Sequence, residues 1–412
     1  MRGGIRVRTD PLPLSGLRIM ELSSFVATPL CGLTLAQLGA EVIRVEPMGG
    51  APDRGRWPLS AQGTSLYWTG LNRGKRGVEV DLSRDEGRAL VSDLIVEGDG
   101  IVVSNAERRG TLGVDALSER RPDLVHATLV GRRDGGTAVD YTVQAATGFP
   151  LASGPTDHEG PVNSPVPTWD LAAGLYLATG ILAAVHHRSA TGQGRRLRLA
   201  LEDVALATAG TLGHLAEAQL CPESPREPDG NHVYGSFGRD FTSADGERFM
   251  VVALPPRHWT ELVEAAGLGE VVEALERSLG ADLSHEGERY RHREALAALL
   301  ASWFGRTGAE DVRAALGATR VLWSQYRTFA ETAAGLPDDP LFHEAEQTGV
   351  EPHLAPAAPV ALDGEHTPPA PAPRVGEHTH AVLGSALGLG GGDLDRLVEQ
   401  GIVRPDGGTS AG

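Results

Sequence analysis

A long apolar segment rich in small residues, LAAGLYLATGILAAV at positions 171–185, constrains the fold of this chain more than any other feature. It is too short to span a bilayer, which takes about 20 residues. We therefore predict a helix buried in the core of a globular protein. Asp170 stands immediately before this run, so a carboxylate is expected at the N-terminal end of the buried helix.

The position of Asp170 supports two interpretations. The first N–H groups of a helix have no intrahelical partners, and together with the helix dipole they favour an ionised carboxylate. An ionised carboxylate can act as a nucleophile. Asp is also among the residues preferred at the N-cap, so a purely capping role is the simpler alternative.

Strand-like and helix-like segments alternate along the first half of the chain. The pattern predicts strands at 17–22, 41–46, 77–82, 100–104 and 124–131, and a helix at 29–39. Ser83 and Glu86 have the spacing of a capping box at the start of another helix. Such alternation is typical of an α/β domain with a mostly parallel sheet. No GxGxxG follows the first strand, which argues against a standard dinucleotide site.

The second half of the chain predicts a smaller α+β domain. Positions 239–254 hold two strand-like runs about Asp245 and Gly246, which indicates a β-hairpin, and helical patterns follow it. We expect a large Rossmann-like domain that starts with residues 1–205, a linker at 206–230, the small α+β domain at 231–325, and a linker with a C-terminal part at 326–412. This last part contains a Pro-rich extended stretch at 352–373 and two short helices.

Charge and cysteine content exclude several classes of function. The net charge of −17 argues against a protein that binds nucleic acids or anionic membranes. The two cysteines, Cys31 and Cys221, are too few for a disulfide framework or a cysteine-rich metal site. We expect a cytoplasmic protein without a metal centre.

Four well-separated segments resemble the class III CoA-transferase family, which includes formyl-CoA and carnitine CoA-transferases. They are GLRIMELSSFVATPLCGLTLAQLGAEVIRVEP (16–47), LNRGKRGVEVDL (71–82), ATGILAAVHHRSATGQGRRLRLALEDVAL (178–206) and PAPRVGEHTHAVL (371–383). The resemblance spans nearly the whole chain. It implies an interlocked homodimer of ring-like subunits, a C-terminal part that returns to the first domain, and attack by Asp170 on an acyl-CoA thioester.

The resemblance also implies a CoA-binding surface. It assigns to this surface the turn Ser24-Phe25-Val26-Ala27, Arg44 and Asn105, with Arg109 as a weaker candidate. Because CoA needs cations for its phosphates, Arg73 and Lys75, the single lysine of the chain, are added as candidates. Open α/β folds bind ligands at strand ends and in the adjoining loops, where these residues are predicted. For each arginine, simple solvation at the surface is the alternative.

Three further features bear on the acyl group. Arg132 and Arg133 suit bidentate binding of the free carboxylate of a dicarboxylic acyl group, the alternative being an ion pair with Asp134. The loop from Gly235 to Gly238 lies where related transferases have a loop with more glycine residues. Its backbone N–H groups would stabilise the oxyanions of the reaction. The alternative is that the segment is an ordinary turn without a catalytic role. Asp140 is expected either to orient the site or to start a helix.

Within the family, GRRDGGTAVDYTVQ (131–144) and GNHVYGSFGRDF (230–241) are most similar to members that move CoA between the two carboxyls of one substrate. The expected reaction is CoA transfer through a mixed anhydride and an aspartyl-CoA thioester at Asp170, on a dicarboxylyl-CoA such as mesaconyl-CoA. CoA is then a substrate, and no tightly bound cofactor is expected.

Three other activities are alternatives. Intermolecular transfer to a free acid is the nearest, and a non-catalytic CoA-ester-binding protein is more distant. Racemisation is disfavoured because Val139 stands where the racemases of the family carry a histidine before the acid.

Overall fold

The computed structural model describes residues 11–223 and 226–404. Internal contacts divide the chain into two units. The first comprises the residues up to Thr147, Ser164–Leu215 and the residues from Leu336 onward, and the second comprises Gly148–Asn163 and Ala216–Gly335.

The first unit contains a six-stranded sheet with strands β1 (Arg18–Leu22), β2 (Glu41–Glu46), β3 (Arg76–Glu79), β4 (Ile101–Ser104), β5 (Val125–Val130) and β6 (Arg195–Ala200). Their order is β3-β2-β1-β4-β5-β6, and every neighbouring pair is parallel. This is the Rossmann strand order, which reverses between β1 and β4. β4 is buried throughout, and its sequence IVVS is accordingly apolar rather than alternating. The predicted α/β fold with a parallel sheet is confirmed.

Helices connect these strands and follow them. They are α1 (Ala27–Gln37), α2 (Leu66–Leu71), α3 (Asp85–Glu97), α4 (Val114–Arg120), α5 (Asp140–Ala145), α6 (Phe149–Ala152), α7 (Thr168–Thr191) and α8 (Leu201–Thr211), of which α6 belongs to the second unit. The apolar run lies within α7, which ends at Gly192. The φ of Gly192 is +72°, the left-handed conformation that commonly ends helices.

α7 packs tightly against α1 because Gly174 has no side chain. A Cβ at Gly174 would lie 2.6 Å from the carbonyl oxygen of Ala27 and 3.1 Å from Leu30. Among the helices of the described residues, α7 alone is long and apolar enough to cross a membrane by length and composition. It is longer than the apolar run that predicted it, but its contacts with α1, β5 and β6 identify it as a core helix.

The second unit combines an antiparallel sheet with helices. Strands β7 (Phe237–Thr242), β8 (Arg248–Ala253) and β9 (Leu322–Gln325) lie in chain order, and β7 and β8 form the hairpin predicted about Asp245 and Gly246. The helices after α8 are α9 (His214–Leu220), which begins in the first unit, α10 (Pro256–Ala265), α11 (Gly269–Leu279), α12 (Glu286–Arg291), α13 (Arg293–Phe304), α14 (Ala309–Gly317) and α15 (Phe329–Ala334). Phe237, Phe249 and Phe304 are among the buried residues of its core.

The C-terminal residues complete the first unit. They form two hairpins, β10 (Phe342–Gln347) with β11 (Val350–Pro356) and β12 (Ala361–Leu362) with β13 (Glu365–His366), and the helices α16 (Thr379–Leu387) and α17 (Gly391–Glu399). Two side chains fasten this segment to β3: the N–H of Gly77 donates to His378 Nδ1, and the N–H of Glu79 donates to Thr379 Oγ1. Val382 of α16 joins the core beside the sheet.

Three local features differ from the sequence predictions. Ser83 and Glu86 form no capping box, because α3 begins at Asp85 and the Ser83 hydroxyl donates to Asp81. The stretch 206–230, predicted as a linker, contains the end of α8 and all of α9. Residues 148–163 belong to the second unit, although they are distant in sequence from the rest of it. A short sequence pattern cannot predict contacts between residues that lie so far apart in the chain.

Candidate active site

Doubly wound sheets bind ligands outside the carboxyl ends of the strands where the strand order reverses. Here those strands are β1 and β4. Ser24 and Phe25 follow β1, and Asn105 follows β4. The Asn105 side chain joins the two segments, because its Nδ2 donates to the Ser24 carbonyl oxygen at 3.0 Å and to the Ser24 hydroxyl at 3.2 Å. Residues predicted from separate segments therefore meet at the expected edge of the sheet.

Phe25 adopts a left-handed backbone conformation with a φ of +68°, which is rare for a bulky residue. Its N–H donates to Asp53 Oδ2 at 2.9 Å, and Asp53 is in turn bound by Arg44. Strained backbone persists only where its surroundings fix it, and it concentrates at functional sites. Val26 and Ala27, which follow, have buried side chains at the start of α1, so these side chains are not available to a ligand.

Arg44, predicted to lie on the CoA-binding surface, is the centre of a buried charge network. Its side chain is fully buried. Nη1 donates to Glu21 Oε1 and to Asn72 Oδ1, both at 3.1 Å, and Nη2 donates to both carboxylate oxygens of Asp53 at 3.2 Å. In this structure Arg44 is therefore not exposed to a phosphate. It supports the Phe25 turn instead, because it holds Asp53.

Lys75 lies in the same network and is equally buried. Its Nζ donates to Glu21 Oε1 at 3.0 Å, to Asn72 Oδ1 at 2.9 Å and to the carbonyl oxygen of Pro29 at 2.8 Å. Burial lowers the pKa of Lys75 to about 8, although Glu21 opposes the decrease. Lys75 too has no access to a phosphate here. Gly32 makes the network possible, since a Cβ there would lie 1.8 Å from Glu21 Oε2.

Asp170 lies in the first turn of α7, which begins at Thr168 after the N-cap Pro167. It is not the N-cap, so the interpretation of Asp170 as a helix cap is wrong. The residue is half-buried, and among the described residues no group donates a hydrogen bond to its carboxylate. The carboxylate is therefore available for chemistry.

Asp140 fills the capping role from outside α7. It is buried, and its Oδ2 accepts hydrogen bonds from the N–H of Trp169 at 2.7 Å and from that of Asp170 at 3.2 Å. Gln144 donates to the other carboxylate oxygen. Asp140 is also the first residue of α5, so the expectation that it starts a helix is confirmed, and its role in orienting the site stays a prediction. Its carboxylate faces the backbone of α7, not open space for a substrate.

The electrostatic environment raises the pKa of Asp170 to about 6. Burial is the main cause, the negative charge of Asp140 adds to the increase, and Arg56 opposes it. Such a carboxylate is still mostly ionised at neutral pH, but it is less stabilised than a solvated one. Perturbation of this kind is typical of catalytic groups.

Sequence reasoning missed Arg56, which acts on Asp170 electrostatically, and Tyr67, on which Asp170 acts. The Arg56 Cζ lies 5.1 Å from the ring centroid of Tyr67 and 5.4 Å from that of Phe25, within the range of cation–π contacts. Burial raises the pKa of Tyr67 to about 12, with Arg56 opposing and Asp170 contributing. The Tyr67 hydroxyl is buried and has no hydrogen-bond partner among the described residues. No sequence signal distinguished Arg56 from the many other arginines.

The other predicted arginines lie in varied settings. Arg73 is half-buried and Arg109 is exposed, and neither forms an ion pair within the described part of the chain. Arg132 is exposed as well. Arg133 pairs with Asp203 at 2.6 Å, so the predicted alternative of a pair with Asp134 is wrong.

The predicted glycine-containing loop is partly strand. Gly235 has a φ of +74° and lies in a turn, but Phe237 and Gly238 begin β7. Phe237 is buried in the core of the second unit, and a Cβ on Gly238 would lie 2.6 Å from Val233 Cγ2. Gly235 and Gly238 thus belong to the second unit, whereas Asp170 belongs to the first. Their role as oxyanion donors stays a prediction.

Comparison with known proteins identifies relatives over nearly the full chain. The model of CoA-transferase family III matches residues 14–379. The chain is 44% identical to 2-methylfumaryl-CoA isomerase from Chloroflexus aurantiacus over 399 residues, 95% of this chain and 97% of that protein. It is 31% identical to succinyl-CoA:mesaconate CoA-transferase from Haloarcula hispanica over 355 residues, 81% and 84% of the two chains. The crystal structure of a CAIB/BAIF family protein from Brucella suis aligns with a TM-score of 0.74 at 25% identity, covering 92% of this chain and 100% of that one.

Proposed function

Because the chain belongs to CoA-transferase family III, we propose that it is an intramolecular CoA-transferase, which moves CoA from one carboxyl group of mesaconyl-CoA (2-methylfumaryl-CoA) to the other. The observation that carries the proposal is the state of Asp170: its carboxylate accepts no hydrogen bond within the described residues, while Asp140 occupies the N–H groups of the first turn of α7. The 44% identity to 2-methylfumaryl-CoA isomerase supports the choice of substrate.

The first half of the proposed reaction transfers CoA to the enzyme. Asp170 attacks the thioester carbonyl, CoA leaves as a thiolate, and a mixed anhydride forms. The thiolate then attacks the aspartyl carbonyl of the anhydride. The acyl group leaves as a free dicarboxylate, and Asp170 carries CoA as a thioester.

The second half reverses these steps at the other carboxyl group. That carboxylate attacks the aspartyl thioester, which gives a new anhydride and the CoA thiolate, and the thiolate attacks the acyl carbonyl of this anhydride. Asp170 is regenerated, and no proton or electron is gained or lost overall. Since the two anhydrides and the aspartyl thioester are all hydrolysable, the site must exclude water and hold the dicarboxylate until its other carboxyl group faces the aspartyl thioester.

CoA is proposed to bind at the carboxyl ends of β1 and β4. The Asn105 bond to Ser24 and the fixed backbone of Phe25 support this position, since they preorganise the loops where doubly wound sheets bind ligands. The phosphate contacts of Arg73 and Arg109 and the substrate contacts of Arg132 stay predictions. CoA is a substrate in this scheme and not a resident cofactor.

We further propose that the protein is a cytoplasmic homodimer. Large apolar side chains are exposed along α7, α8 and α9, namely Leu175, Tyr176, Leu206 and Leu220. α9 has no buried residue at all. A second copy of the chain would cover these side chains. Both cysteines are free, which fits a reducing compartment.

A direct test is to incubate the purified protein with one isomer of mesaconyl-CoA and no added acid, and to follow the products by chromatography and mass spectrometry. We expect the other isomer to appear. The Asp170→Ala variant should be inactive, whereas Asp157→Ala, which removes an exposed carboxylate of the second unit, should behave as the wild type.

Intermolecular transfer is the second candidate, because the chain is 31% identical to succinyl-CoA:mesaconate CoA-transferase. In that case the CoA ester would stay unchanged until a free acid is added. A protein that leaves the ester unchanged with and without an added acid would contradict both candidates.

A further inference from the structure

Arg56 is an exposed cation whose position is set by two aromatic rings. It follows the short 3₁₀ turn Pro52–Gly55, and its guanidinium lies against the rings of Phe25 and Tyr67. These contacts orient the guanidinium without neutralising its charge, since a ring face attracts a cation but carries no net charge.

The neighbouring cations are already committed. Arg44 is bound by Glu21 and Asp53, and Arg54 is paired with Glu46. The guanidinium of Arg56, by contrast, forms no ion pair or hydrogen bond within the described part of the chain. An aligned guanidinium that has no internal carboxylate is suited to an external one, because it binds carboxylates through two parallel hydrogen bonds.

Two observations connect this cation with the candidate site. Arg56 lies against the ring of Phe25, which follows β1 and whose left-handed backbone is held by Asp53, and the charge of Arg56 lowers the pKa of Asp170. The Tyr67 ring lies under Arg56, and its buried hydroxyl has no partner among the described residues. A buried donor without an acceptor is costly, and an acceptor from a ligand would remove that cost.

We infer that Arg56, together with the Tyr67 hydroxyl, binds the carboxylate of the substrate that does not carry CoA, and that Arg56 determines the preference for dicarboxylyl groups. This assignment rests on the proposed function and is an alternative to the predicted contacts of Arg132 and Arg133 with the same carboxylate. During the reaction the freed dicarboxylate carries two negative charges. A fixed cation would retain this dicarboxylate in the site until its second carboxylate attacks the aspartyl thioester.

The inference is tested by binding, without catalysis. In an Asp170→Asn background, which blocks turnover, the dissociation constants of succinyl-CoA and butyryl-CoA are measured by calorimetry with and without Arg56→Gln. The two esters have acyl chains of the same length and differ in the terminal carboxylate. Arg56→Gln should weaken succinyl-CoA binding about tenfold to hundredfold relative to butyryl-CoA, the usual effect of a lost charged hydrogen bond.

Two further variants sharpen the test. Arg195→Gln removes the same charge at the amino end of β6, whereas the candidate site lies at the carboxyl ends of the strands. This variant should leave the ratio of the dissociation constants of succinyl-CoA and butyryl-CoA unchanged. Arg56→Lys keeps the charge without the planar fork and should restore part of the preference. An unchanged ratio in Arg56→Gln, or an equal change in Arg195→Gln, would overturn the inference.

A labelling experiment adds a readout that a merely structural role would not move. The active enzyme is given mesaconyl-CoA together with an excess of isotopically labelled free mesaconate. If Arg56 retains the dicarboxylate, Arg56→Gln should incorporate more label per turnover than the wild type; equal incorporation would count against retention. A wild type that binds succinyl-CoA through Arg56 but does not isomerise mesaconyl-CoA would refute the proposed function and leave the binding assignment intact.

Discussion

Asp170 is expected to be reactive at a cost in stability. Its pKa is raised from 3.8 to about 6, so the fold disfavours the ionised form. The free energy of unfolding therefore falls as the pH rises from about 4 to 6 and stays lower above that range. Asn does not titrate and cannot form the anhydride. Asp170→Asn should abolish transfer and stabilise the protein at neutral pH, by about 1 to 3 kcal/mol.

Urea unfolding at about pH 5 and pH 8 checks this expectation, because the difference between the variant and the wild type should be larger at the higher pH. A variant that is less stable than the wild type at both values would show that the Asp170 side chain supports the fold, contrary to its lack of hydrogen bonds in the described structure.

We propose that Asp140 is a positioning residue, and its charge should then appear in the pH profile. The acid limb of kcat/KM reports the nucleophile in the free enzyme and is expected near pH 6. Asp140→Asn keeps an oxygen that can accept the N–H of Trp169 but removes a negative charge near Asp170. The acid limb should move to lower pH. In Arg56→Gln it should move to higher pH, since a positive charge is removed. A loss of activity in Asp140→Asn with an unmoved limb would indicate a structural role only.

The contact between α1 and α7 depends on one glycine of α7 and not on another. At Gly174 a Cβ would meet the Ala27 carbonyl oxygen at 2.6 Å, whereas at Gly180 its nearest neighbour would be the flexible end of Leu197 at 3.4 Å. Gly174→Ala should therefore destabilise the protein by about 1 to 3 kcal/mol through overpacking. Gly180→Ala should be neutral or stabilising by up to about 1 kcal/mol, because Ala is the better helix former. Equal effects of the two substitutions in urea unfolding would contradict this account.

Short sequence patterns predicted the positions of strands and helices better than they predicted the residues that cap the helices. β2 begins and ends where its alternation of apolar and polar residues predicted, although the structure buries every residue of the strand except the half-buried Glu41. The capping box at Ser83 failed because the Asp81 carboxylate competes for the Ser83 hydroxyl and N–H. The cap of α7 is supplied by Asp140, which lies in another helix, so the sequence around Pro167 contains no trace of it.

The exposed apolar side chains of α7 and α8 lead to an expectation for the whole molecule. If a second copy covers them, light scattering should give a dimer, and the unfolding midpoint should rise with protein concentration. Tyr176→Glu, which places a charge on an exposed apolar residue, should weaken the dimer. Ala190→Glu, exposed near the end of α7, is the matched control and should not. A folded and active monomer at assay concentration would refute the dimer.

The sequence alone determined the α/β class, the family resemblance and the choice of Asp170, because apolar periodicity and motif order are properties of neighbouring residues. The sequence could not show which of the predicted arginine and lysine side chains are available to a ligand. Arg44 and Lys75 lie in a conspicuous motif but are neutralised internally, since the parallel register sets Glu21 beside Arg44 and the fold buries Lys75 against the same carboxylate.

Arg56 lies outside the motifs that sequence analysis singled out, yet it is the cation whose charge lowers the pKa of Asp170. Burial, distance and competing partners decide whether a charge is available, and these arise only when segments far apart in the chain pack together. For the same reason the pKa of Asp170 was a result of tertiary structure: it depends on Asp140 and Arg56, which approach the start of α7 from separate loops and helices.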